Sequence, residues 1–296
     1  MPDVILRMID REAGLRVVAA VTTELVAEAA RRNQAEGLGV CVLGRALTSG
    51  LLLATLTKGD ERVTVQIQGD GPLGGVTVDA DDAGHARGYL LHADAARQPC
   101  VGRAQVAQAL GRHGVVNVMR DLGMRERYQG QVALLIGEVD EDVEHYLRVS
   151  EQVPSALGCE VLIEEGALVV SAGVLVQSLP GADPSEVREA QHALRSGRLW
   201  DALTSGLRSP HDLAVAIQGP QIQILDERPL VFRCRCSQER VIDMLALVGT
   251  VELDEMIADE GRAEVTCNFC SERYVVSKVE LESIRAAAAK GPRASN

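Results

Sequence analysis

The sequence has few aromatic residues and fewer basic than acidic ones. Aromatic residues make up 2% of its 296 residues and apolar residues 46%, so its core must consist mainly of valine, leucine, isoleucine and alanine. Thirty basic side chains against 42 acidic ones leave a formal net charge of −12. This balance disfavours a nucleic-acid partner, because phosphate contacts are normally made by clustered lysine and arginine.

Long apolar runs are also missing. The longest apolar stretch, around Leu51, is interrupted by threonine, serine and lysine side chains, whereas a membrane-spanning helix needs about 20 predominantly apolar residues in succession. The first residues, Met1-Pro2-Asp3, do not begin the basic and then apolar stretch of a secretion signal. We therefore expect a cytoplasmic protein with no membrane partner.

Motifs for nucleotide binding and for histidine chemistry are absent as well. The stretch from Gly69 to Gly75 is rich in glycine, but it lacks the Gly-Lys-Ser/Thr of a phosphate-binding loop, so we interpret it as a turn. The six histidines have neither metal-ligand nor catalytic-triad spacing. We expect no nucleotide partner, no catalytic residue and no organic cofactor.

Four of the seven cysteines are grouped near the end of the chain. Cys234 and Cys236 form a C-x-C pair, Cys267 and Cys270 form a C-x-x-C pair, and 30 residues lie between the two pairs. Two close thiol pairs separated by one small folded unit are the arrangement that a tetrahedral zinc ion requires. The same spacing also lets each pair close on itself as a disulfide.

The other three cysteines, Cys41, Cys100 and Cys159, lie far apart in the sequence and make no pattern. We interpret them as small buried apolar residues. A secreted protein held by disulfides would be shorter and denser in cysteine, so a reducing cytosol with a metal-bound cluster is the better interpretation.

The hydrophobic patterns predict the α+β class. Across residues 1–178, short strands alternate with helices without a regular β-α-β repeat, which predicts an N-terminal mixed sheet-and-helix domain. Leu38 to Thr57 is apolar on most sides and predicts a buried helix. Residues 179–221 are predicted to be a helical linker, with helices that begin at Asp183-Pro184 and Ser209-Pro210. Short helices are marginal alone, so this linker needs neighbours to stay folded.

Residues 222–296 are predicted to be a small C-terminal zinc-binding module. Ser237 and Thr250 can each cap a helix, two short strands flank the C-x-x-C pair, and a last helix follows. A module of about 60 residues buries too little apolar surface to be stable alone. A metal ion is therefore expected to hold it together.

The charge and donor set of this module limit its chemistry. Residues 237–283 carry eleven acidic and four basic side chains, a net charge of −7, which is unlike a zinc ribbon that reads DNA. Four thiolates leave no open position on the metal, so the site is structural rather than hydrolytic. Its reactive property is oxidation, because thiolates attack peroxide or hypochlorous acid. Oxidation would remove what keeps the module folded.

The two cysteine motifs carry a resemblance to a known family. They read Phe232-Arg-Cys234-Arg-Cys236-Ser237-Gln-Glu239-Arg240 and Thr266-Cys267-Asn-Phe269-Cys270, followed by Tyr274. Upstream support comes from five short motifs: Lys58-Gly-Asp-Glu-Arg62, Gly69-Asp-Gly-Pro72, Arg87-Gly88-Tyr89, Tyr128-Gln-Gly130 and Ser150-Glu-Gln152. On these residues nearly the whole chain resembles the heat-shock protein 33 family, the redox-regulated holdase chaperones of bacteria.

The resemblance implies a mechanism and its residues. In the reduced, inactive protein, Cys234, Cys236, Cys267 and Cys270 would hold one Zn²⁺ per chain while the linker docks on the N-terminal domain. Under oxidative stress, disulfides Cys234–Cys236 and Cys267–Cys270 would form and zinc would be released. The linker and module would then unfold, and a homodimer would bind unfolding client proteins without ATP. No enzymatic activity is implied.

Two alternatives to the chaperone remain. One is a thiol–disulfide oxidoreductase that uses Cys267 and Cys270. It is disfavoured because the C-x-x-C pair does not lie between a strand and the first turn of a helix, which is its position in thioredoxin-like sites. The other is a zinc ribbon that binds nucleic acid, which the negative charge of the module disfavours.

Overall fold

The computed structural model describes residues 2–57, 61–100, 103–121 and 128–288. Within these ranges the strands are β1 (Val4–Asp10), β2 (Leu15–Val21), β3 (Arg62–Gly69), β4 (Gly75–Asp81), β5 (His85–Leu90), β6 (Gly114–Asp121), β7 (Tyr128–Ala133), β8 (Ser155–Glu164), β9 (Ala167–Ser178), β10 (Ile222–Pro229), β11 (Val231–Phe232), β12 (Arg262–Thr266) and β13 (Arg273–Ser277). The helices are α1 (Thr23–Asn33), α2 (Leu38–Ala54), α3 (Arg103–Leu110), α4 (Val139–Val149), α5 (Pro184–Arg195), α6 (Arg198–Thr204), α7 (Pro210–Gln218), α8 (Gln238–Leu245), α9 (Thr250–Asp259) and α10 (Lys278–Ala288). The predicted α+β class is confirmed.

The chain divides into two compact units, Met1–Arg233 and Cys234–Asn296, called here the N-terminal unit and the C-terminal unit. In the N-terminal unit, sheet A has the strand order β10-β1-β2-β9-β8 and sheet B has the order β11-β5-β4-β3-β6-β7. All pairings are antiparallel except that of β11 with β5. In the described residues, no helix is long and apolar enough to cross a membrane.

Helix α2 is the centre of the N-terminal unit. All 17 of its residues are buried, as the apolar sequence predicts, and it packs against strands of both sheets. The predicted helix extends to Thr57, but α2 ends at Ala54, where Thr55 and Thr57 turn their hydroxyls back to backbone carbonyls. One face of sheet A therefore belongs to the core built around α2.

The second face of sheet A is covered by the predicted linker. In β2, Val18 and Ala20 belong to the core around α2, whereas Leu15, Val17 and Ala19 belong to a second apolar cluster. That cluster is completed by side chains of α5, α6 and α7, namely Val187, Ala190, Ala193, Leu194, Leu199, Ala202, Leu203, Leu213, Ala214 and Ile217. The period-two pattern of the strand thus places apolar side chains on both faces, and each face has its own cover.

The predicted helix starts of the linker are confirmed. Asp183 accepts a hydrogen bond from the backbone N–H of Ser185, and Ser209 accepts one from that of Asp212. Helix α6 was not predicted, because glycine at both of its ends hid a helix of only seven residues. In the C-terminal unit, Ser237 caps α8, but the expected cap at Thr250 is wrong: α9 begins at Thr250 itself, after Gly249.

Strands β5 and β10 escape prediction from the sequence. Charged residues interrupt both, so neither shows clean alternation. Strand β10 pairs with β1 and extends sheet A, so residues 222–229, which the sequence suggested as the start of the C-terminal module, lie in the N-terminal unit. The functional division into residues 1–178, 179–221 and 222–296 stays a prediction. Lys58, Gly59 and Asp60 of the first supporting motif lie outside the described residues.

The glycine-rich stretch from Gly69 to Gly75 connects β3 to β4, as the turn interpretation predicts. Its glycines are required by close approach of the backbone to the end of α3. A Cβ atom on Gly69 would lie 1.9 Å from the carbonyl oxygen of Leu110, and one on Gly71 would lie 2.4 Å from that of Ala109. Packing therefore accounts for the glycine content of this turn.

A buried ionic cluster joins α2 to α4 and β8. Arg45 lies 3.0 Å from Glu138 and 2.8 Å from Glu160, with Asp140 at 3.5 Å. All four side chains are buried. The sequence suggested only that acidic residues favour the start of α4, whereas the structure shows that they surround the guanidinium. Removing the single cation would leave three carboxylates in a region of low dielectric.

We predict that Arg45→Met lowers the free energy of unfolding by about 3–5 kcal/mol, the usual effect of breaking a buried ion pair. Denaturant titration measures the loss. The matched control is Arg31→Met in α1, where the side chain is 68% exposed, and which should change stability by less than about 1 kcal/mol. Equal effects of the two substitutions would contradict the importance of the cluster.

Candidate metal centre

The C-terminal unit has a small core of its own. Seven side chains are buried together in it, those of Val241, Leu245, Leu253, Ala263, Val276, Leu281 and Ile284. Other apolar side chains stay exposed, including Leu247 at 88% and Val279 at 75%. Its only sheet within the described residues is the two-stranded pair β12–β13, a structure that is marginal in isolation. Such a unit needs a further source of stability.

The first cysteine pair lies in the segment that leads into α8. Cys234 and Cys236 occupy residues between β11 and the start of the helix. Ser237, directly after Cys236, accepts a hydrogen bond from the N–H of Arg240 at 3.3 Å and so fixes where the helix begins. The sulfur atoms of Cys234 and Cys236 lie 3.3 Å apart, so both thiols face one point.

The second pair lies in the tight turn between β12 and β13. The N–H of Ser271 donates to the carbonyl of Cys267 at 2.8 Å, and the N–H of Cys267 donates to that of Glu272 at 2.9 Å. Ser271 adopts a left-handed conformation with φ of 57°. The register of β12 and β13, with Thr266 opposite Arg273, holds the ends of the turn together. Cys267 and Cys270 are thereby presented side by side.

The structure brings the four predicted ligands to one point. All four Sγ atoms lie within 4.8 Å of one another. The separations are 3.3 Å from Cys234 to Cys236, 3.7 Å from Cys234 to Cys267, and 3.2 Å from Cys236 to Cys270. A tetrahedron with zinc–sulfur bonds of about 2.3 Å places its sulfurs about 3.8 Å apart. The donor set and its spacing therefore fit a four-coordinate metal ion.

Backbone N–H groups point at the sulfurs of the turn. Burial raises the pKa of the Cys267 thiol, while the N–H groups of Cys270 and Phe269 donate to its sulfur and act in the opposite direction. Burial likewise raises the pKa of Cys270, opposed by the N–H of Glu272. Donors aimed at sulfur stabilise the thiolate, and a bound cation stabilises it further.

Tyr274 is a further polar neighbour of the cluster. Its hydroxyl donates to the Cys236 sulfur at 3.0 Å, and this hydrogen bond raises the pKa of the tyrosine. The sequence contained Tyr274 within the family resemblance but did not indicate this contact. The N–H donors of Phe269, Cys270 and Glu272 were also missed, although a C-x-x-C turn between two strands is the local signal that would have suggested them.

The three remaining cysteines lie outside the cluster. Cys41 and Cys159 are buried, as expected of small apolar residues, and Cys100 is half-buried. The Cys159 sulfur lies 3.4 Å from the hydroxyl of Ser49. Among the histidines, His85 lies 3.2 Å from Asp81 and His113 lies 2.9 Å from Asp70, so both have local carboxylate partners.

Comparison with known proteins extends the likeness beyond the cysteines. The family model described as Hsp33 protein matches residues 3–277. The 33 kDa chaperonin of Geobacillus kaustophilus is 35% identical, and the match covers 98% of this chain and 100% of that protein. The 33 kDa chaperonin of Bacillus subtilis is 34% identical, with 96% and 98% covered.

A solved structure agrees in fold. The crystal structure of the 33 kDa chaperonin (heat shock protein 33 homolog) from Thermotoga maritima superimposes with a TM-score of 0.85 at 28% sequence identity. The match covers 98% of this chain and 99% of that one. The chain therefore belongs to the Hsp33 protein family, and this membership supports a chaperone role for it.

Proposed function

We propose that this protein is a redox-regulated, ATP-independent holdase that binds unfolding proteins under oxidative stress. The observation that carries the proposal is the apolar face of sheet A beneath α5, α6 and α7. This face, formed by residues such as Met8, Leu15, Val17, Val174 and Val176, is buried against the linker helices, so their departure would expose it. An apolar surface of this kind is what an unfolding protein would bind.

The cluster of four cysteines would hold one zinc ion per chain in the reduced protein. Soft thiolate ligands in a closed tetrahedral set favour zinc over magnesium, calcium or manganese, which prefer oxygen. When bound, the ion supplies folding free energy to the unit and keeps its sulfurs as thiolates. The seven-residue core explains why the C-terminal unit would depend on that contribution.

Oxidation would convert the ligands into the disulfides Cys234–Cys236 and Cys267–Cys270. The sulfur–sulfur distances in the folded unit do not favour this pairing over others, because Cys236 also lies 3.2 Å from Cys270. The pairing within each motif follows the family resemblance and a simple chain argument. Once the unit loosens, only cysteines two or three residues apart in the sequence remain near each other. A disulfide leaves no thiolate to bind metal, so the ion would be released.

Loss of the ion would unfold the C-terminal unit and then the linker. The two are connected by a short stretch of chain, in which Gln218 ends α7, β10 and β11 follow, and Cys234 comes two residues after Phe232. The linker helices contain at most 12 residues each and need their sheet to remain folded. Their departure would expose sheet A to client proteins and to a second copy of the chain.

The structure favours this function over the oxidoreductase alternative. Cys267 and Cys270 lie in a turn between two antiparallel strands, whereas a thioredoxin-like pair uses a helix N-terminus to lower a thiol pKa. The relatives named above are chaperonins, which agrees with a protein that is not an enzyme. We place the protein in a reducing cytosol, where free thiols and bound zinc persist until oxidant appears, and we propose no nucleotide or nucleic-acid partner.

The switch is tested by comparing reduced, zinc-loaded protein with peroxide-treated protein in one aggregation assay. We predict that only the treated protein suppresses aggregation of a thermally unfolding client, and that zinc release, followed with a chromogenic chelator, accompanies the gain. No ATP is added to either sample. Equal suppression by both forms would rule out redox control, and rapid insulin reduction at thioredoxin-like rates would support the oxidoreductase instead.

The ligand set is tested by Cys267→Ser. Because a direct ligand is lost, zinc affinity should fall by more than the roughly 10–100-fold typical of a residue that only supports a ligand. Competition with a chelator of known affinity measures this change. Cys100→Ser is the matched control, since Cys100 lies outside the cluster and is half-buried. Unchanged zinc affinity in Cys267→Ser would contradict coordination by four cysteines.

A further inference from the structure

Two thiols of the N-terminal unit lie together, far from the metal centre in the sequence. Cys41 is on α2 and is 1% exposed, whereas Cys100 is half-buried in the segment that follows the short turn Ala93–Ala96. The segment that carries Cys100 packs on the start of α2, and a side-chain hydrogen bond with Cys100 is the main cause that raises the pKa of Cys41. Cys41 belongs to the core around α2, and Cys100 packs against that core. The structure thus contains a third pair of neighbouring cysteines, outside the metal centre.

The backbone holds this pair in place. The N–H of Leu38 donates to the carbonyl of Gln98 at 2.7 Å. A Cβ atom on Gly37 would lie 2.3 Å from that same oxygen, so the chain around Gln98 packs directly on the start of α2. Cys41 lies one helical turn after Leu38, and Cys100 lies two residues after Gln98. These backbone contacts bring together the two segments that carry Cys41 and Cys100.

The two thiols differ in access to solvent and in acidity. Cys100 is half-buried, whereas Cys41 is closed off inside the core, so Cys100 is the more accessible residue of the two. The hydrogen bond with Cys100, together with burial, raises the pKa of Cys41, an effect that nearby Arg45 opposes and Glu160 reinforces. Cys41 therefore remains a thiol in the reduced protein and is a poor first target for oxidant.

We propose that Cys41 and Cys100 are a third redox couple, which closes to a disulfide when the protein meets a hydroperoxide. The Cys100 sulfur attacks the peroxide oxygen, so that the O–O bond breaks, Cys100 becomes a sulfenic acid and one molecule of water or alcohol leaves. The Cys41 sulfur then attacks the sulfenic sulfur, the S–S bond forms and a second molecule, water, leaves. Two thiols lose two electrons in total, and the peroxide gains them.

This disulfide would cross-link Cys41, near the start of α2, to Cys100, at the end of the segment after β5. The loop that it closes contains β3, β4 and β5, which form much of sheet B. A cross-link over a long loop stabilises the folded state by restricting the unfolded chain. The oxidant that opens the C-terminal unit in the proposed function would then strengthen the N-terminal unit. The thiol couple itself does not depend on that function, because it involves none of the metal-centre residues.

Peptide mapping tests the couple in the full-length protein. Reduced and hydrogen-peroxide-treated samples are alkylated without reduction and digested with trypsin. In the treated sample, the peptide 33–45 that contains Cys41 should be linked to the peptide 98–103 that contains Cys100. The link should disappear in Cys100→Ser and persist in Cys159→Ala and in Cys267→Ser. The proposal would be overturned if Cys41 and Cys100 were recovered as unlinked peptides, alkylated or oxidised to sulfonic acid, from a sample in which the four metal-centre cysteines are oxidised.

Thermal unfolding gives a second readout. After peroxide treatment, the N-terminal unit of the wild-type protein should unfold at a temperature roughly 5 °C or more above that of treated Cys100→Ser. The reduced forms of the two proteins should unfold at nearly the same temperature. Equal midpoints after treatment would contradict a stapling bond. Zinc release and client protection in Cys100→Ser report separately on the proposed function, so failure of one proposal is distinguishable from failure of the other.

Discussion

The convergence of four cysteine sulfur atoms on one point is the constraint on which the proposed function depends. Within its described residues, the unit has a core of seven clustered apolar side chains and one two-stranded sheet, and a core of this size is too small to offset the entropy of ordering the chain. Four thiols within 4.8 Å of one another provide a place where a metal ion can make up the deficit. The same chemistry that makes thiolates good ligands makes them oxidisable. In the proposed function, the folding equilibrium of the unit is therefore coupled to the redox state of its surroundings.

Sheet A is the second element on which the proposed function depends. One of its faces packs against the core around the fully buried α2, and the other packs against α5, α6 and α7. Helix α2, which packs on the first face, lies within the core. The second face is covered by three short helices late in the chain, α5, α6 and α7. Unfolding of α5, α6 and α7 would expose an apolar surface of sheet A, while the core around α2 would stay folded. In the proposed function, oxidation controls whether helices α5, α6 and α7 stay folded on sheet A. No side chain needs to perform catalysis.

Local patterns made much of this predictable. Period-two alternation indicated β3, an apolar run indicated α2, Asp183 and Ser209 marked helix starts, and the two cysteine motifs indicated the cluster. What remained hidden depends on contacts between distant residues. The pairing of β10 with β1, the carboxylates around Arg45 and the approach of Cys100 to Cys41 leave no local periodic signal. The N–H donors to sulfur at the C-x-x-C turn were missed because backbone geometry, rather than residue type, creates them.

Hydrogen exchange measured on the same sample before and after peroxide treatment tests the central claim most directly. The account predicts that amide protection is lost across residues 234–288 and across α5 to α7, together with the onset of client binding. Protection in α2 and in strands β1, β2 and β9 should remain, because the core around α2 keeps those elements folded. Client binding that begins while residues 234–288 and the linker helices stay protected would contradict the account.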